Sequence, residues 1–239
     1  MLTPVSLLCC SFLSWLAPGV QDKGKPEVPS DVAALMKQLK SSKDPLARRQ
    51  AAAGLGEKGE LAKGATPTLL AALKDKDEFV RRMAVRSLGQ IKAEPDVAIP
   101  AMKRLFQDED RGVIEALGEA FATMGSPAVP PLTEMLRSRD PLHKKTAAVA
   151  LGKMGPQAKE AVPALIAAFK SETPRPRMQS GSLRMVIVET FGQIGPDAKA
   201  AIKPLEDSLE ENRDQAFGRA VREAIRKMGG TPPGPKKKK

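Results

Sequence analysis

The residues Asp77 to Gly89, DEFVRRMAVRSLG, carry the pattern that decides the fold. Apolar side chains recur at Val80, Ala84 and Leu88, four residues apart, which places them on one face of an amphipathic helix. Asp77 stands just before this helix, where a carboxylate accepts hydrogen bonds from the free amides of the first turn. A single helix of this kind leaves its apolar face exposed, so the pattern predicts further copies stacked beside it.

The same pattern returns along the chain with a period of roughly 30 to 40 residues. Five prolines precede apolar runs, and in four cases a marker residue follows 22 residues later. The fifth separation is 29 residues, which places an insertion around residues 172 to 181. The prolines are Pro67, Pro100, Pro130, Pro163 and Pro204, the markers are Gly89, Ala122, Gly152, Gly192 and Arg226, and five aspartates recur at Asp44, Asp77, Asp110, Asp140 and Asp214.

Each repeat is predicted to be a hairpin in which helix A follows the proline and helix B begins at the aspartate. Proline is tolerated in a first helical turn because its missing amide is not needed there. Helix B tends to end at glycine, as at Gly155, which can take the left-handed conformation. Alanine recurs where helices approach closely, at Ala51, Ala84 and Ala147. The predicted fold is all-α, an α-α superhelix of about six hairpins over residues 30–229, divided as 30–59, 60–92, 93–125, 126–155, 156–195 and 196–229.

The composition agrees with closely packed helices. The chain is 41% hydrophobic but only 3% aromatic, and it contains no Tyr. Leu, Ala, Val, Ile and Met must therefore fill the core, which disfavours a β-sandwich because strands prefer aromatic and β-branched residues. The net charge is +11, and part of it belongs to the terminal run Lys236 to Lys239.

The pattern D-x-x-V-R-x-x-A-x-x-x-L-G of Asp77 to Gly89 resembles the HEAT repeat, especially the short type found in phycobilisome lyases. The resemblance covers the whole repeat region. The third repeat departs from it, with Ile114 where Arg is usual and Ala122 where Gly is usual. The last repeat has Arg222 and Arg226 at mostly small positions, which is typical of a terminal repeat that faces solvent.

The resemblance implies a structural role for one basic residue near the start of each helix B. In HEAT-like stacks this residue ties neighbouring repeats together through the turn aspartate or backbone carbonyls, and direct ligand binding is the alternative. The residues at this position are Arg48, Arg81, Lys144 and Arg184.

The resemblance also implies that helix B lines the concave side, where partners bind. The residue after the basic one and the residue four beyond it share a face and are expected to point away from the core. An ordinary solvated helix face is the alternative for any one of them. This helix B stripe comprises Arg49, Arg82, Glu115, Lys145, Met185 and Arg219, then Ala53, Arg86, Glu119, Val149, Glu189 and Glu223. The predicted partner-binding residues are Arg49, Arg82, Arg86, Glu115, Glu119, Lys145, Met185 and Glu189.

No catalytic, cofactor or metal site is predicted. His143 is the only histidine, and it falls at the core position that Val80 occupies in its own repeat. We therefore interpret it as a packing residue, since metal sites and catalytic triads need several convergent groups. Calcium-loop spacing and glycine-rich phosphate loops are absent from the sequence. The repeated His-Glu pairs of HEAT-type di-iron hydroxylases are also absent.

Residues 1–22 are predicted to be a signal peptide. Val5 to Val20 is apolar but short of the roughly 20 residues that span a bilayer, and small residues follow at Ala17 to Gly19. The expectation is export to the periplasm or the extracellular space; an uncleaved anchor and a misplaced start codon are the alternatives. Both cysteines lie in this segment, so the mature chain would contain none. Residues 23–29 are interpreted as a linker and 230–239 as a disordered basic tail.

The sequence favours a monomeric, non-catalytic scaffold that binds a protein or peptide partner along the concave face. Nucleic-acid binding is an alternative, but Glu115 and Glu119 interrupt the basic surface that phosphates need, and stacking aromatics are scarce. An enzyme similar to a bilin lyase is a third reading. Membrane contact is expected only through the signal peptide, or weakly through the lysine tail.

Overall fold

The computed structural model of the chain describes residues 29–172, 182–211 and 214–234. These residues form helices and turns and contain no strand. No helix among them is long and apolar enough to cross a membrane. The predicted signal peptide, residues 23–28 of the linker, residues 173–181 of the insertion and residues 235–239 of the tail lie outside the described residues.

Twelve α-helices pair into six hairpins in the described part of the chain, so the predicted all-α hairpin stack is confirmed. Odd numbers denote helix A and even numbers helix B. The helices are α1 Ser30–Ser41, α2 Pro45–Glu57, α3 Thr66–Ala72, α4 Glu78–Gln90, α5 Pro95–Lys103, α6 Arg111–Met124, α7 Val129–Leu136, α8 Pro141–Met154, α9 Val162–Ser171, α10 Leu183–Ile194, α11 Ile202–Glu211 and α12 Gln215–Lys227. Short 3-10 segments precede four of the A helices, at Gly59–Ala65, Ser126–Ala128, Gly155–Ala161 and Gly195–Ala201.

The hairpins stack in two layers. Each helix B packs on the helix B of the next hairpin, from α2 through to α12, and the A helices form the second layer. Ala51, Ala84 and Ala147 are completely buried, as predicted for positions of close approach. All hairpins run the same way, so the A-to-B turns follow one edge of the stack and the B-to-A connections follow the opposite edge.

The predicted helix starts are confirmed at all five aspartates. Asp77 Oδ1 accepts a hydrogen bond of 2.9 Å from the Val80 amide, and Asp140 Oδ1 accepts one of 2.8 Å from the Leu142 amide. Asp44, Asp110 and Asp214 cap their helices in the same way. The fifth hairpin, which has no aspartate there, uses the hydroxyl of Ser182. Short-range chemistry therefore sets where each helix B begins.

The prolines were placed correctly in four of five hairpins. Pro67, Pro130, Pro163 and Pro204 lie in the first turn of their A helices, where a missing amide has no cost. Pro100 was expected to start helix A but lies inside α5, which already begins at residue 95. The residues before it continue the α-helix, whereas four of the other A helices follow a 3-10 segment.

Gly155 ends α8 with a positive φ, as predicted, but not in the left-handed helical conformation. Its φ is 57° and its ψ is −133°, whereas the left-handed helix has ψ near +47°. Gly125 and Gly195 adopt the same backbone conformation. Only glycine enters this region without strain, and the chain passes from it directly into the next 3-10 segment.

The marker glycines have a second role that the sequence analysis did not identify. A Cβ atom on Gly89 would lie 2.6 Å from Thr123 Oγ1 and 3.0 Å from the backbone Cα of Ala120 on α6. At Gly152, a Cβ atom would lie 2.0 Å from Gln193 Oε1 on α10. The glycines therefore allow successive B helices to approach closely.

Candidate partner-binding face

The basic residue near the start of helix B joins neighbouring repeats, as predicted. Arg48 Nε and Nη2 donate to the two carboxylate oxygens of Asp75 in the next hairpin, at 2.7 and 2.8 Å. Arg48 Nη1 also donates to the carbonyl oxygens of Ser42 and Lys43, at 3.2 Å each. One guanidinium therefore closes its own turn and binds the following one, which is the two-pronged geometry that arginine favours.

Arg81 repeats this arrangement one hairpin later. Its Nε and Nη2 donate to Asp108 at 2.7 and 2.9 Å, and its Nη1 donates to the carbonyl oxygen of Asp75 at 2.9 Å. Burial is the largest single influence and raises the pKa of both Asp75 and Asp108. The hydrogen bond from the arginine, a backbone amide hydrogen bond and the charge of the arginine together outweigh it and hold each pKa below its usual value. The pKa values of Arg48 and Arg81 are raised by the same bonds. Both pairs are therefore charged at neutral pH.

The third hairpin lacks this link because Ile114, which is buried, replaces the arginine. Aromatic side chains pack between the third and fourth hairpins instead. The ring of Phe106 packs edge-on against that of Phe121, with their centroids 6.2 Å apart, and its centroid lies 6.4 Å from that of the His143 ring. His143 is buried, and its Nδ1 lies 3.0 Å from Ser138 Oγ. The prediction that His143 is a packing residue is confirmed.

In the fourth and fifth hairpins, the basic residues of helix B, Lys144 and Arg184, both bind Glu172. Lys144 Nζ binds the Glu172 carboxylate at 3.0 Å, and Arg184 Nη1 donates to the Glu172 carbonyl oxygen at 3.1 Å. The Arg184 guanidinium also lies 4.3 Å above the Phe169 ring. The predicted link between repeats is confirmed for Arg48, Arg81 and Lys144. Arg184 instead binds within its own hairpin, and its guanidinium approaches the next hairpin at the Phe217 ring, 5.6 Å from the ring centroid.

The basic start of the helix B stripe is paired with acids of the next hairpin. Arg49 Nε binds Asp77 at 2.8 Å, and Arg82 Nη2 binds Asp110 at 3.1 Å. The hydrogen bond from Arg49 lowers the pKa of Asp77 to about 2. The basic start of the stripe is therefore compensated, because each guanidinium has its own carboxylate.

Arg86 forms a third such pair, with Glu119 at 2.9 Å, and both side chains are half exposed. Glu119 was predicted to interrupt a basic surface, and the stack places it in direct contact with Arg86.

Phe79 is an exposed aromatic residue on this face that the sequence analysis did not single out. The guanidinium of Arg49 lies 4.2 Å from its ring centroid and that of Arg82 lies 5.1 Å away, so the ring is flanked by two cations. Phe79 nevertheless keeps 38% of its surface exposed. Leu46 holds the equivalent position in the first hairpin and is more exposed still. Both lie two residues after the capping aspartate, a recurring position that the sequence could have flagged.

Gly112 occupies the same position in the third hairpin. A Cβ atom there would lie 1.7 Å from Arg82 Nη2, because the guanidinium passes directly over the glycine on its way to Asp110. The absence of a side chain at Gly112 therefore allows Arg82 to reach Asp110, and this position also places the Arg82 guanidinium beside the Phe79 ring.

The middle of the stripe is solvent-facing. Glu115, Lys145 and Glu189 are exposed, and none forms an ion pair with another described residue. Val149 is an exposed apolar residue between them. These positions agree with the predicted orientation of the stripe.

Met185 was predicted to belong to the stripe but is only 7% exposed. The first turns of α10 are apolar on nearly all sides, and residues 184–188 are all buried. Burying the Met185 side chain removes apolar surface from water, which the charged residues at this position in other hairpins cannot do. Met185 is therefore not part of the face.

Nothing on this face resembles a cofactor or metal site in the part of the chain that the structure describes. No group of three or more His, Cys, Asp or Glu side chains there is placed to hold a metal ion. An open cleft of about 510 Å³ lies between the first two hairpins, and its walls include Arg48 and Asp75, which already bind each other. The face offers instead apolar and charged side chains fixed on rigid helices.

Comparison with known proteins agrees with the two-layer hairpin stack. No curated protein matches this sequence. The complex of CpcE and CpcF of phycocyanin lyase from Nostoc aligns with a TM-score of 0.53 and 20% identity, over 89% of this chain and 82% of that chain. An engineered protein solved by the Northeast Structural Genomics Consortium aligns with a TM-score of 0.52 and 21% identity, over 85% of this chain and 99% of that one.

At such identities these likenesses show the fold alone. The family model for HEAT repeats matches residues 32–122 and 100–182, which together make up more than half of the chain. The spacing of the capping aspartates and of the arginines that join repeats agrees with that match. The protein therefore belongs to the HEAT-repeat family.

Proposed function

We propose that the protein is a non-catalytic scaffold that binds a protein or peptide partner along its helix B face. The observation that carries this proposal is Phe79, which is exposed on that face between the guanidinium groups of Arg49 and Arg82. Aromatic and arginine side chains are the residues that most often dominate protein-binding energy. Leu46 extends the apolar surface into the first hairpin.

The surroundings of Phe79 are held in place before any partner arrives. Asp77 and Asp110 hold the two arginines through ion pairs that cross between hairpins. A partner that packs on the ring therefore does not have to order these side chains. Preorganisation of this kind improves affinity because less conformational entropy is lost on binding.

The rest of the face suggests what the partner presents. The exposed apolar side chains of the first two hairpins are complementary to an apolar side chain on the partner. The exposed Glu115, Lys145 and Glu189 are complementary to charged groups of both signs. Such a mixture fits a polypeptide better than a uniform polyanion, because a polyanion would be repelled by both glutamates.

The absence of catalysis is part of the proposal. His143 is engaged in packing beside Phe106 and in contact with Ser138, so it is not presented to a substrate. The likeness to the phycocyanin lyase complex supports the fold and supplies no catalytic residue on this face.

The test uses affinity capture from the native host with quantitative mass spectrometry. The double variant Leu46→Ala/Phe79→Ala removes the proposed anchors. The matched control Leu61→Ala/Val97→Ala removes exposed apolar residues that lie outside helix B. We expect a specific partner to be retained by the wild type and the control and reduced at least tenfold with the anchor variant.

Measurement of Kd with the purified partner by calorimetry then repeats the comparison in isolation. Loss of affinity of about 2 kcal/mol or more is expected for an aromatic anchor. Equal recovery and equal Kd for all three proteins would refute the assignment of this face.

A further inference from the structure

The A-to-B edge of the stack carries an unpaired row of cations. Nine Lys and Arg residues lie in these turns or within one helical turn of them, and all nine are exposed. None forms an ion pair with another described residue. This basic edge comprises Lys40, Lys43, Lys74, Lys76, Arg104, Arg111, Arg137, Arg139 and Lys170.

The fold separates charges that alternate in the sequence. In the segment Lys74 to Asp77, KDKD, the two aspartates are only 14% and 11% exposed because Arg48 and Arg49 hold them against the stack. The lysines of the same segment project into solvent. Asp108 in the next turn is 5% exposed and is bound by Arg81. The anions of these turns are therefore largely turned inward, and the cations remain outside.

Few anions offset the basic edge at the surface. By the same criterion, the exposed acidic residues at this edge are Asp44, Glu109, Glu134, Asp140 and Glu210, against nine exposed cations without a partner. Glu134 already pairs with Lys103. Asp44 and Asp140 also cap helices, so part of their charge is taken up by backbone amides. The edge as a whole is strongly positive.

The opposite edge, formed by the B-to-A connections, is balanced. Lys58 pairs with Asp31, and both Lys63 and Lys92 pair with Glu60. Glu94 and Asp96 add further negative charge there. The positive potential therefore belongs to one edge and is not a general property of this basic chain.

We propose that the basic edge binds an anionic membrane surface. Two of the large exposed apolar residues of the described chain, Leu46 and Phe79, lie in the first turn of a helix B beside this edge, and Leu61, Val97 and Val149 lie away from it. Phe106, the aromatic residue described in the turns themselves, packs inward on Phe121. The edge therefore presents a row of cations with two apolar side chains beside it, and no series of rings for stacking bases. A layer of anionic headgroups suits this arrangement, whereas single-stranded nucleic acid is bound with aromatic stacking.

The sequence outside the described residues favours lipid over other polyanions. Val5 to Val20 is an apolar run, which brings the chain to a membrane during export or as an anchor. Lys236 to Lys239 add positive charge of the same kind. The basic edge adjoins the Leu46 and Phe79 end of the helix B face, but this proposal does not depend on the proposed protein partner.

The expected strength follows from the number of cations. Each Lys or Arg near an anionic surface increases binding about fivefold, so reversal of several charges has a large effect. The attraction is screened by salt beyond a Debye length of roughly 8 Å at physiological ionic strength. Binding is therefore expected to weaken steeply between 0.1 and 0.5 M NaCl.

The test is cosedimentation of the full chain with vesicles of phosphatidylcholine alone or with about 30% phosphatidylglycerol. The edge variant Lys74→Glu/Lys76→Glu/Arg137→Glu/Arg139→Glu is compared with a control that has the same net charge. The control is Lys63→Glu/Lys153→Glu/Lys159→Glu/Lys199→Glu, at the B-to-A edge. Circular dichroism establishes that both variants fold. The neutral vesicles measure any contribution of Val5 to Val20, which all three proteins share.

We expect the wild type to prefer the anionic vesicles, the edge variant to lose at least tenfold in partition coefficient, and the control to stay within threefold of the wild type. An equal loss in both variants would show a net-charge effect and overturn the proposal. Absence of any preference for anionic vesicles would overturn it as well.

Double-stranded DNA serves as a competing polyanion: an edge-dependent affinity for DNA without one for vesicles would assign the edge to nucleic acid instead. The Leu46→Ala/Phe79→Ala variant should bind vesicles normally, which separates this result from the partner-binding test.

Discussion

Replacing Arg81 by alanine should destabilise the stack more than any exposed charge substitution. The change removes both bonds to Asp108 and leaves that carboxylate, which is 5% exposed, without its cation. It also removes the donor to the Asp75 carbonyl oxygen. Breaking a buried pair by deleting one partner costs roughly 3 to 5 kcal/mol. Because Arg81 itself is partly exposed, we expect the lower end, about 3 kcal/mol.

Arg86→Ala is the matched control. Arg86 lies five residues further along α4 and also pairs with an acid of the third hairpin, Glu119 on α6, but Arg86 and Glu119 are 40% and 47% exposed. Exposed pairs of this kind contribute at most about 1 kcal/mol, because water screens them and two flexible side chains must be ordered. Both substitutions remove an arginine of α4 that pairs with an acid of the third hairpin, so they differ in the burial of the pair and in the bond to the Asp75 carbonyl oxygen that Arg81 alone makes.

Thermal unfolding followed by circular dichroism distinguishes the two variants. At roughly 2 to 4 °C per kcal/mol for a domain of this size, Arg81→Ala should lower the melting temperature by about 6 to 12 °C and Arg86→Ala by less than about 4 °C. Adding Asp108→Ala to Arg81→Ala should recover part of the loss, since the unpaired carboxylate is then gone. Equal melting temperatures for the two single variants would refute the role assigned to the buried pairs.

Three further predictions concern pH and packing. The pKa of Asp77 is lowered to about 2 in the folded chain, and that of Asp108 is also lowered. The stabilisation by Asp77 is therefore complete above about pH 5, where an unfolded aspartate is ionised, and is lost as the pH falls toward 2. Urea unfolding across this range should show the loss, and Asp77→Asn should reduce it. Ala147→Leu should lower the melting temperature, since added volume at a packed site costs about 1 to 3 kcal/mol, while Lys145→Ala should have little effect; similar small changes would show that the orientation of α8 is wrong. Gly89→Ala should destabilise despite the better helix propensity of alanine, because its Cβ would approach the α6 backbone; a higher melting temperature would contradict the close contact.

Local spacing was sufficient to predict the helices and the ties between them. The aspartate caps depend on amides two or three residues away, so the positions of Asp77 and Asp140 in the sequence contain all the necessary information. The role of Arg48 was implied by the resemblance to HEAT repeats, and the repeat then gave the positions of the equivalent basic residues. Ile114 could likewise be recognised as a departure, because it stands at the repeat position that Arg48 and Arg81 occupy.

The surface electrostatics could not be read in this way, because they depend on contacts between residues far apart in the chain. Arg49 and Arg86 bind acids 28 and 33 residues away, and only the stacked helices bring these charges within hydrogen-bonding distance. Burial of Met185 likewise depends on what packs around α10 rather than on its repeat position. The sequence by itself therefore determined the repeat, its caps and its core. Only the tertiary structure decided which charges remain free for a partner, because a charge is neutralised by its neighbours in space and not by its neighbours in sequence.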